Sequence, residues 1–262
     1  MAQEHVQPAP EPQPGPLGRY LRDSRAAVNT VCLILPLFLI YSVGVQFTGG
    51  IQNGVDLLSG VVRRYHFIAE NYLLINAIVL VVFLLVLLIL RNRGSFRPGI
   101  YGLVILEGAG YGVLLGAGIP AVLTGCGVTP ATSALSLGPP LAAAARPLDL
   151  GPLDRLVLSC GAGVWEEIVF RFLLLGGLYL GLVRVLRIGA VPAWLGATLV
   201  SSLAFAAAHY VGSLADTLEL YGFLFRFLAG VVFATVFLLR GLAVVVYTHA
   251  VYDVMVMLLL AR

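Results

Sequence analysis

The stretch VWEEIVFRFLL, Val164 to Leu174, sets two carboxylates and an arginine (Glu166, Glu167 and Arg171) inside a run that otherwise reads as a membrane helix. An ionised side chain near the bilayer centre is disfavoured by about 2.5–3.5 kcal/mol on insertion scales. Three of them so close together therefore face a bundle interior and serve a purpose there. A helix turns by about 100° and rises about 1.5 Å per residue. Glu167 and Arg171, spaced i, i+4, meet on one face, while Glu166 points about 100° away from Glu167. The arginine thus neutralises one carboxylate and leaves Glu166 as a separate group. A carboxylate in a dry cleft is suited to act as a general base.

The rest of the chain agrees with a membrane setting. It has 262 residues, 60% hydrophobic and 11% charged, with a mean hydropathy of +0.97. A soluble domain carries roughly 25% charged residues. The fold class is therefore all-α: a polytopic transmembrane bundle of about seven (six to eight) spanning helices, with the lipid bilayer as partner. A formal net charge of +3 is too small for a nucleic-acid surface, so no nucleic acid is expected as partner. All sixteen basic residues are arginine, a composition that fits a GC-rich bacterial genome. Cys32, Cys126 and Cys160 are isolated in apolar runs; they read as small core hydrophobes rather than as a disulfide or CxxC framework.

The apolar runs divide the chain. Residues 1–25 read as a disordered, Pro- and Gln-rich tail rather than a signal peptide, with His5 incidental. Residues 26–150 carry N-terminal transmembrane helices, and residues 151–262 a catalytic transmembrane core. Spans are expected at about 27–47, 70–90, 100–123, 154–182, 192–210, 218–239 and 241–260. Gly108, Gly110, Gly112, Gly116, Gly118 and Pro120 should break the third. Gly161 and Gly163 are hinge points at which the long fourth would tilt or split. Residues 51–65 read as amphipathic and interfacial, His66 as a surface residue, and residues 136–152 as a Pro-rich loop. Arginines flank the spans with a bias that sets the N-terminus in the cytoplasm, in a bacterial inner membrane.

Few other ionisable residues lie in the spans. They are Glu107, His209, Arg226, His249 and Asp253. His249 and Asp253 are again i, i+4, so the acid can orient the imidazole and fix its tautomer. Phe205 and His209 repeat the spacing with an aromatic one turn before the imidazole. Each has a plain reading: a Glu-Arg helix lock, an interfacial histidine, a proton relay. Glu107 and Arg226 have no partner at helical spacing and read as structural or cavity-facing. A straight-helix count sets His209 and His249 several turns apart in depth.

The ordered set EEIVFR (Glu166, Glu167, Arg171), FAAAH (Phe205, His209) and HAVYD (His249, Asp253) resembles the CPBP family of intramembrane proteases, also called the Abi family. This family includes CAAX proteases and bacteriocin-processing enzymes, and its pattern is Glu-Glu-x-x-x-Arg, Phe-x-x-x-His, then His-x-x-x-Asn or Asp. The resemblance covers roughly residues 150–260. It implies an intramembrane endopeptidase acting on a membrane-associated protein or peptide. Glu166 would activate water and His209 would hold it. His249 and Asp253 would stabilise the oxyanion, and Glu167 with Arg171 would support Glu166. An aspartate donates only when protonated, so Asp253 has an orienting role as its alternative.

The metal question stays open in the sequence. No HExxH is present. His209, His249 and either Glu166 or Asp253 have the donor atoms of a zinc site, and the same groups can activate water without one. A metal-independent glutamate mechanism is the reading carried forward, with zinc as its alternative. Other function classes are a proton-coupled transporter, which would tend to show repeated halves, and a non-catalytic scaffold of the same fold.

Overall fold

The computed structural model describes residues 15–45, 47–48, 72–90, 96–130, 150–211 and 217–260, and every regular element among them is helical. A short helix α1 (Pro16–Asp23) precedes α2 (Ala27–Gly44), α3 (Tyr72–Leu90) and α4 (Tyr101–Gly125), the last entered by a single 3₁₀ turn. Helix α5 (Pro152–Gly161) continues into a π-wound stretch (Ala162–Leu175) and on into α6 (Gly176–Arg184). Then follow α7 (Ala190–Ala208), α8 (Leu220–Arg240) and α9 (Leu242–Val254), whose last turns to Leu260 are again π-wound.

A helix thus stands at each of the seven expected positions. Ala27–Gly44, Pro98–Gly125, Ala190–Ala208 and Leu220–Arg240 are long and apolar enough to cross a membrane, and Ala77–Leu90 and Leu242–Leu258 are shorter apolar helices. The remaining run, Pro152–Arg184, is the one that carries Glu166, Glu167 and Arg171.

Helix α9 is the centre of the bundle. It packs against α4, the π-wound stretch, α8, α5 and α2, and every residue from Ala243 to Ala250 is buried. A helix apolar on all sides is a core helix. Gly241 alone joins α8 to α9, at φ +87°, a conformation that disfavours a Cβ. Helix α3 lies outside against α2, with Leu74, Ile78, Val81 and Leu85 exposed where lipid would meet them.

Three expectations are corrected. The glycines of the third span do not break it; α4 runs continuously from Tyr101 to Gly125. Gly108, Gly112 and Gly116 let α9 approach instead. A Cβ at Gly108 would lie 2.8 Å from Tyr247 Cβ, and one at Gly112 would lie 3.0 Å from the Thr248 carbonyl. Gly161 and Gly163 are likewise contact points rather than hinges, the first against the Tyr41 ring and the second against Ala250. The fourth span does not split but changes its winding.

The tail also ends earlier than expected. Residues 1–14 lie outside the described residues, but Pro16–Asp23 is helical, with proline in the first turn where its missing N–H is harmless. This helix is tied down: the Tyr20 hydroxyl donates to Glu107 at 2.5 Å, and Asn29 Nδ2 donates to the Asp23 carbonyl at 2.8 Å. Composition missed these tethers. All three cysteines are free, but Cys126 is exposed at the end of α4, not in the core. The amphipathic segment 51–65, His66 and most of the Pro-rich loop lie outside the described residues, as does His5.

Candidate active site

Glu166, Glu167 and Arg171 lie on the π-wound stretch, whose wider winding changes the simple helical picture. More residues per turn mean a smaller angle between neighbours, and such windings recur at functional sites. Both carboxylates are therefore turned into the bundle, with Glu166 5% and Glu167 0% exposed. The i, i+4 pair forms as expected: Arg171 Nη1 donates to Glu167 Oε1 at 3.0 Å. Glu167 does a second task that spacing did not suggest. The same Oε1 accepts from His249 Nδ1 at 2.7 Å.

Arg171 is fully buried, and aromatic rings surround its guanidinium. Its central carbon lies 4.2 Å from the Phe205 ring centroid, 5.0 Å from Phe233 and 5.9 Å from Phe170. Nε and Nη2 make no hydrogen bond among the described residues, so ring faces take the place of water around this cation. Phe205, the aromatic of the FAAAH stretch, thus has a physical role. It roofs Arg171, and its ring also meets His209 at 4.9 Å and His249 at 5.9 Å between centroids. Phe233 stacks on His249 at 4.6 Å and 21°. Phe170 and Phe233 were not singled out in the sequence, where nothing separates them from lipid-facing phenylalanines.

The two histidines arrive from different helices. His209 ends α7, and its Nδ1 bonds the Phe205 carbonyl at 2.8 Å. A carbonyl only accepts, so Nδ1 carries a proton and the neutral ring keeps its lone pair on Nε2. That atom lies 3.9 Å from Glu166 Oε2. His249, held at Nδ1 by Glu167, presents its Nε2 to the same Glu166 oxygen, also at 3.9 Å. Asp253 Oδ2 stands 3.6 Å from that Nε2, one turn along α9. The depth mismatch of the straight-helix count disappears, since both Nε2 atoms lie 3.9 Å from one Glu166 oxygen. Helix ends therefore do not mark one plane.

A cleft opens onto both histidines and Asp253. His209, His249, Asp253, Tyr252 and Arg226 form its polar lining, and Phe205, Phe225, Phe233 and Val256 line it with apolar surface. Arg226 is buried, donating to the Tyr210 hydroxyl at 3.0 Å with its guanidinium over that ring. Of the two charges without a helical-spacing partner, Arg226 is thus the cavity-facing one. Glu107 belongs elsewhere. It accepts from Arg240 through both Nε and Nη2, from Tyr20, and from Tyr111 at 3.1 Å. Arg240 also reaches Ser24 Oγ at 3.2 Å, so this cluster joins α1, α4 and α8. Burial, with Glu107 beside it, pushes the Tyr20 phenol up to about 12.

The zinc alternative can be compared with this geometry. Among the described residues no group of three His, Cys, Asp or Glu side chains is arranged to hold a metal ion. Glu166, His209 and His249 converge, but with separations suited to an intervening small polar molecule. As arranged, they do not fit a three-ligand zinc site.

Residues 150–255 match the family model described as Rce1-like, type II CAAX prenyl endopeptidase. No curated protein and no solved structure matches the chain. The matched segment contains all six of the site residues expected from the sequence: Glu166, Glu167, Arg171, His209, His249 and Asp253. Over residues 150–255, the chain is thus similar to the type II CAAX prenyl endopeptidases.

Proposed function

We propose that the protein is an intramembrane endopeptidase in which Glu166 activates water to hydrolyse a peptide bond of a membrane-associated protein or peptide. One observation carries this reading. The Nε2 atoms of His209 and His249 both lie 3.9 Å from Glu166 Oε2. That distance is too long for a direct hydrogen bond, and it is the range in which a water bridges polar groups.

The chemistry then runs on this chain's own residues. Water between Glu166 and His209 loses a proton to the Glu166 carboxylate as its oxygen bonds the carbonyl carbon. The carbonyl π pair moves onto oxygen as the oxyanion. On collapse the C=O bond re-forms and the C–N bond breaks. Glu166 returns its proton to the leaving nitrogen. His209 holds the water through the Nε2 lone pair. Glu167, fixed by Arg171, sets the tautomer and angle of His249, and Asp253 orients its other edge. The apolar cleft walls limit bulk water, which strengthens each of these interactions.

The N-terminus is placed in the cytoplasm, with the bundle in a bacterial inner membrane. Comparing the protein termini of membranes that carry the wild type with those that carry Glu166→Ala tests the function and finds the substrate class together. New termini that depend on Glu166 are expected. Identical termini, with both proteins present at equal levels, would overturn the reading.

A further inference from the structure

The tetrahedral oxyanion needs hydrogen-bond donors, and the polar groups of the cleft differ in what they can give. Asp253 donates only when it carries a proton. His209 has committed its Nδ1–H to the Phe205 carbonyl. Tyr252 also lines the cleft, and its hydroxyl is a donor. The residue is only 7% exposed, and its hydroxyl is buried without a hydrogen bond among the described residues. A buried hydroxyl left unmatched among the described residues is free to donate to a ligand.

The ring, by contrast, is well held. It stacks on Phe225 with centroids 6.2 Å apart at 26°. Two glycines of α4 make room for it: a Cβ at Gly112 would lie 3.5 Å from Tyr252 Cβ, and one at Gly116 would lie 3.3 Å from the ring edge. Arg226 lines the same cleft, and its positive charge acts on Tyr252, Asp253 and His209. The ring is thus fixed by packing, its hydroxyl is unmatched, and a permanent cation stands nearby to favour a developing negative charge.

We propose that Tyr252 donates its hydroxyl hydrogen bond to the oxyanion of the tetrahedral intermediate, with Arg226 supplying positive charge to the same oxygen. No bond to Tyr252 forms or breaks; the hydroxyl keeps its proton and strengthens its hydrogen bond as the carbonyl oxygen gains charge. The inference rests on the endopeptidase reading.

Tyr252→Phe removes this donor while keeping the ring. The probe is a membrane-anchored peptide chosen from a library because the wild type cuts it, with kinetics measured in liposomes. The variant should lose about 10²–10³-fold in kcat with KM nearly unchanged, the signature of an interaction made only in the transition state. Its thermal midpoint should match or exceed that of the wild type, because no hydrogen bond among the described residues is lost. Arg226→Gln should also lower kcat. Unchanged kcat in Tyr252→Phe would overturn the proposal, as would a rise in KM at constant kcat or a loss of activity that tracks a lower midpoint. Glu166→Gln, run in parallel, separates the two levels. If it too keeps full turnover, the reading of Glu166 as the base that activates water fails, and the inference falls with it. If only Glu166→Gln is inactive, Tyr252 alone has been misassigned.

Discussion

His209 and His249, from two different helices, point their Nε2 atoms at one oxygen of Glu166, each at 3.9 Å. Neither contact is a hydrogen bond at that length. Their equality describes a three-sided seat for a small polar molecule, built on a buried carboxylate. Most of the surrounding structure serves to fix these three groups. Glu167 and Arg171 hold His249, the Phe205 carbonyl holds His209, and the close approach of α9 to α4 and the π-wound stretch sets the spacing between them.

If water rather than zinc occupies that seat, the purified protein should turn over without stoichiometric metal. Total metal analysis of active wild type should give zinc well below one equivalent, and chelator treatment should leave turnover intact. Near-stoichiometric zinc that disappears in His209→Ala would contradict the metal-independent mechanism.

The caged Arg171 predicts a stability effect that can be separated from activity. Arg171→Leu leaves Glu167 buried without its cation and should destabilise the protein by about 3–5 kcal/mol. Replacing both, as Glu167→Leu with Arg171→Leu, removes the uncompensated charge and should recover much of that loss. The double variant should remain inactive, because His249 has lost its Nδ1 acceptor. Unfolding in detergent and a cleavage assay check the two halves of this prediction.

Packing at Gly163 sets the distance between the carboxylates and α9. A Cβ there would lie 2.6 Å from Ala250 Cβ and 2.9 Å from the Val246 carbonyl, beside His249. Gly163→Ala should therefore push α9 away, costing about 1–3 kcal/mol and lowering kcat more than it raises KM. Gly110→Ala is the control: a Cβ there meets nothing within 4 Å, so both stability and turnover should stay near wild type.

The Glu107 cluster holds α1 and lies apart from the cleft, so it should govern stability without chemistry. Tyr20→Phe removes one donor to a carboxylate and should lower stability by about 1.5–3 kcal/mol, with kcat of the folded protein unchanged. Its pH dependence has a definite sign. The phenol is raised from 10.0 to about 12 in the folded protein, so its contribution is complete below pH 10 and lost as pH rises through 12. Thermal midpoints measured across that window should fall more steeply for the wild type than for Tyr20→Phe.

The sequence made the helices and the main site residues legible for local reasons. Apolar length marks a span, and i, i+4 spacing marks a shared face, so Glu167 with Arg171 and His249 with Asp253 could be read directly. Other features left no local trace. Glu107 and Arg240 meet across 133 positions. The winding of Ala162–Leu175 is a change in hydrogen-bond register that no residue pattern announced, and it turns Glu166 and Glu167 inward together. Glycines that looked like helix breaks prove to be contact points, because the same missing side chain that weakens an isolated helix lets two helices touch. Tyr252 was hidden among other aromatics; only its buried, unmatched hydroxyl sets it apart.

The most direct measurement is cleavage by Glu166→Gln in liposomes, beside the wild type and with folding checked by thermal unfolding. The substitution keeps the size of the side chain and removes its capacity to take a proton. The account predicts a folded protein with an unchanged melting profile and turnover reduced to background. Wild-type turnover by Glu166→Gln would contradict the claim that this carboxylate activates the attacking water.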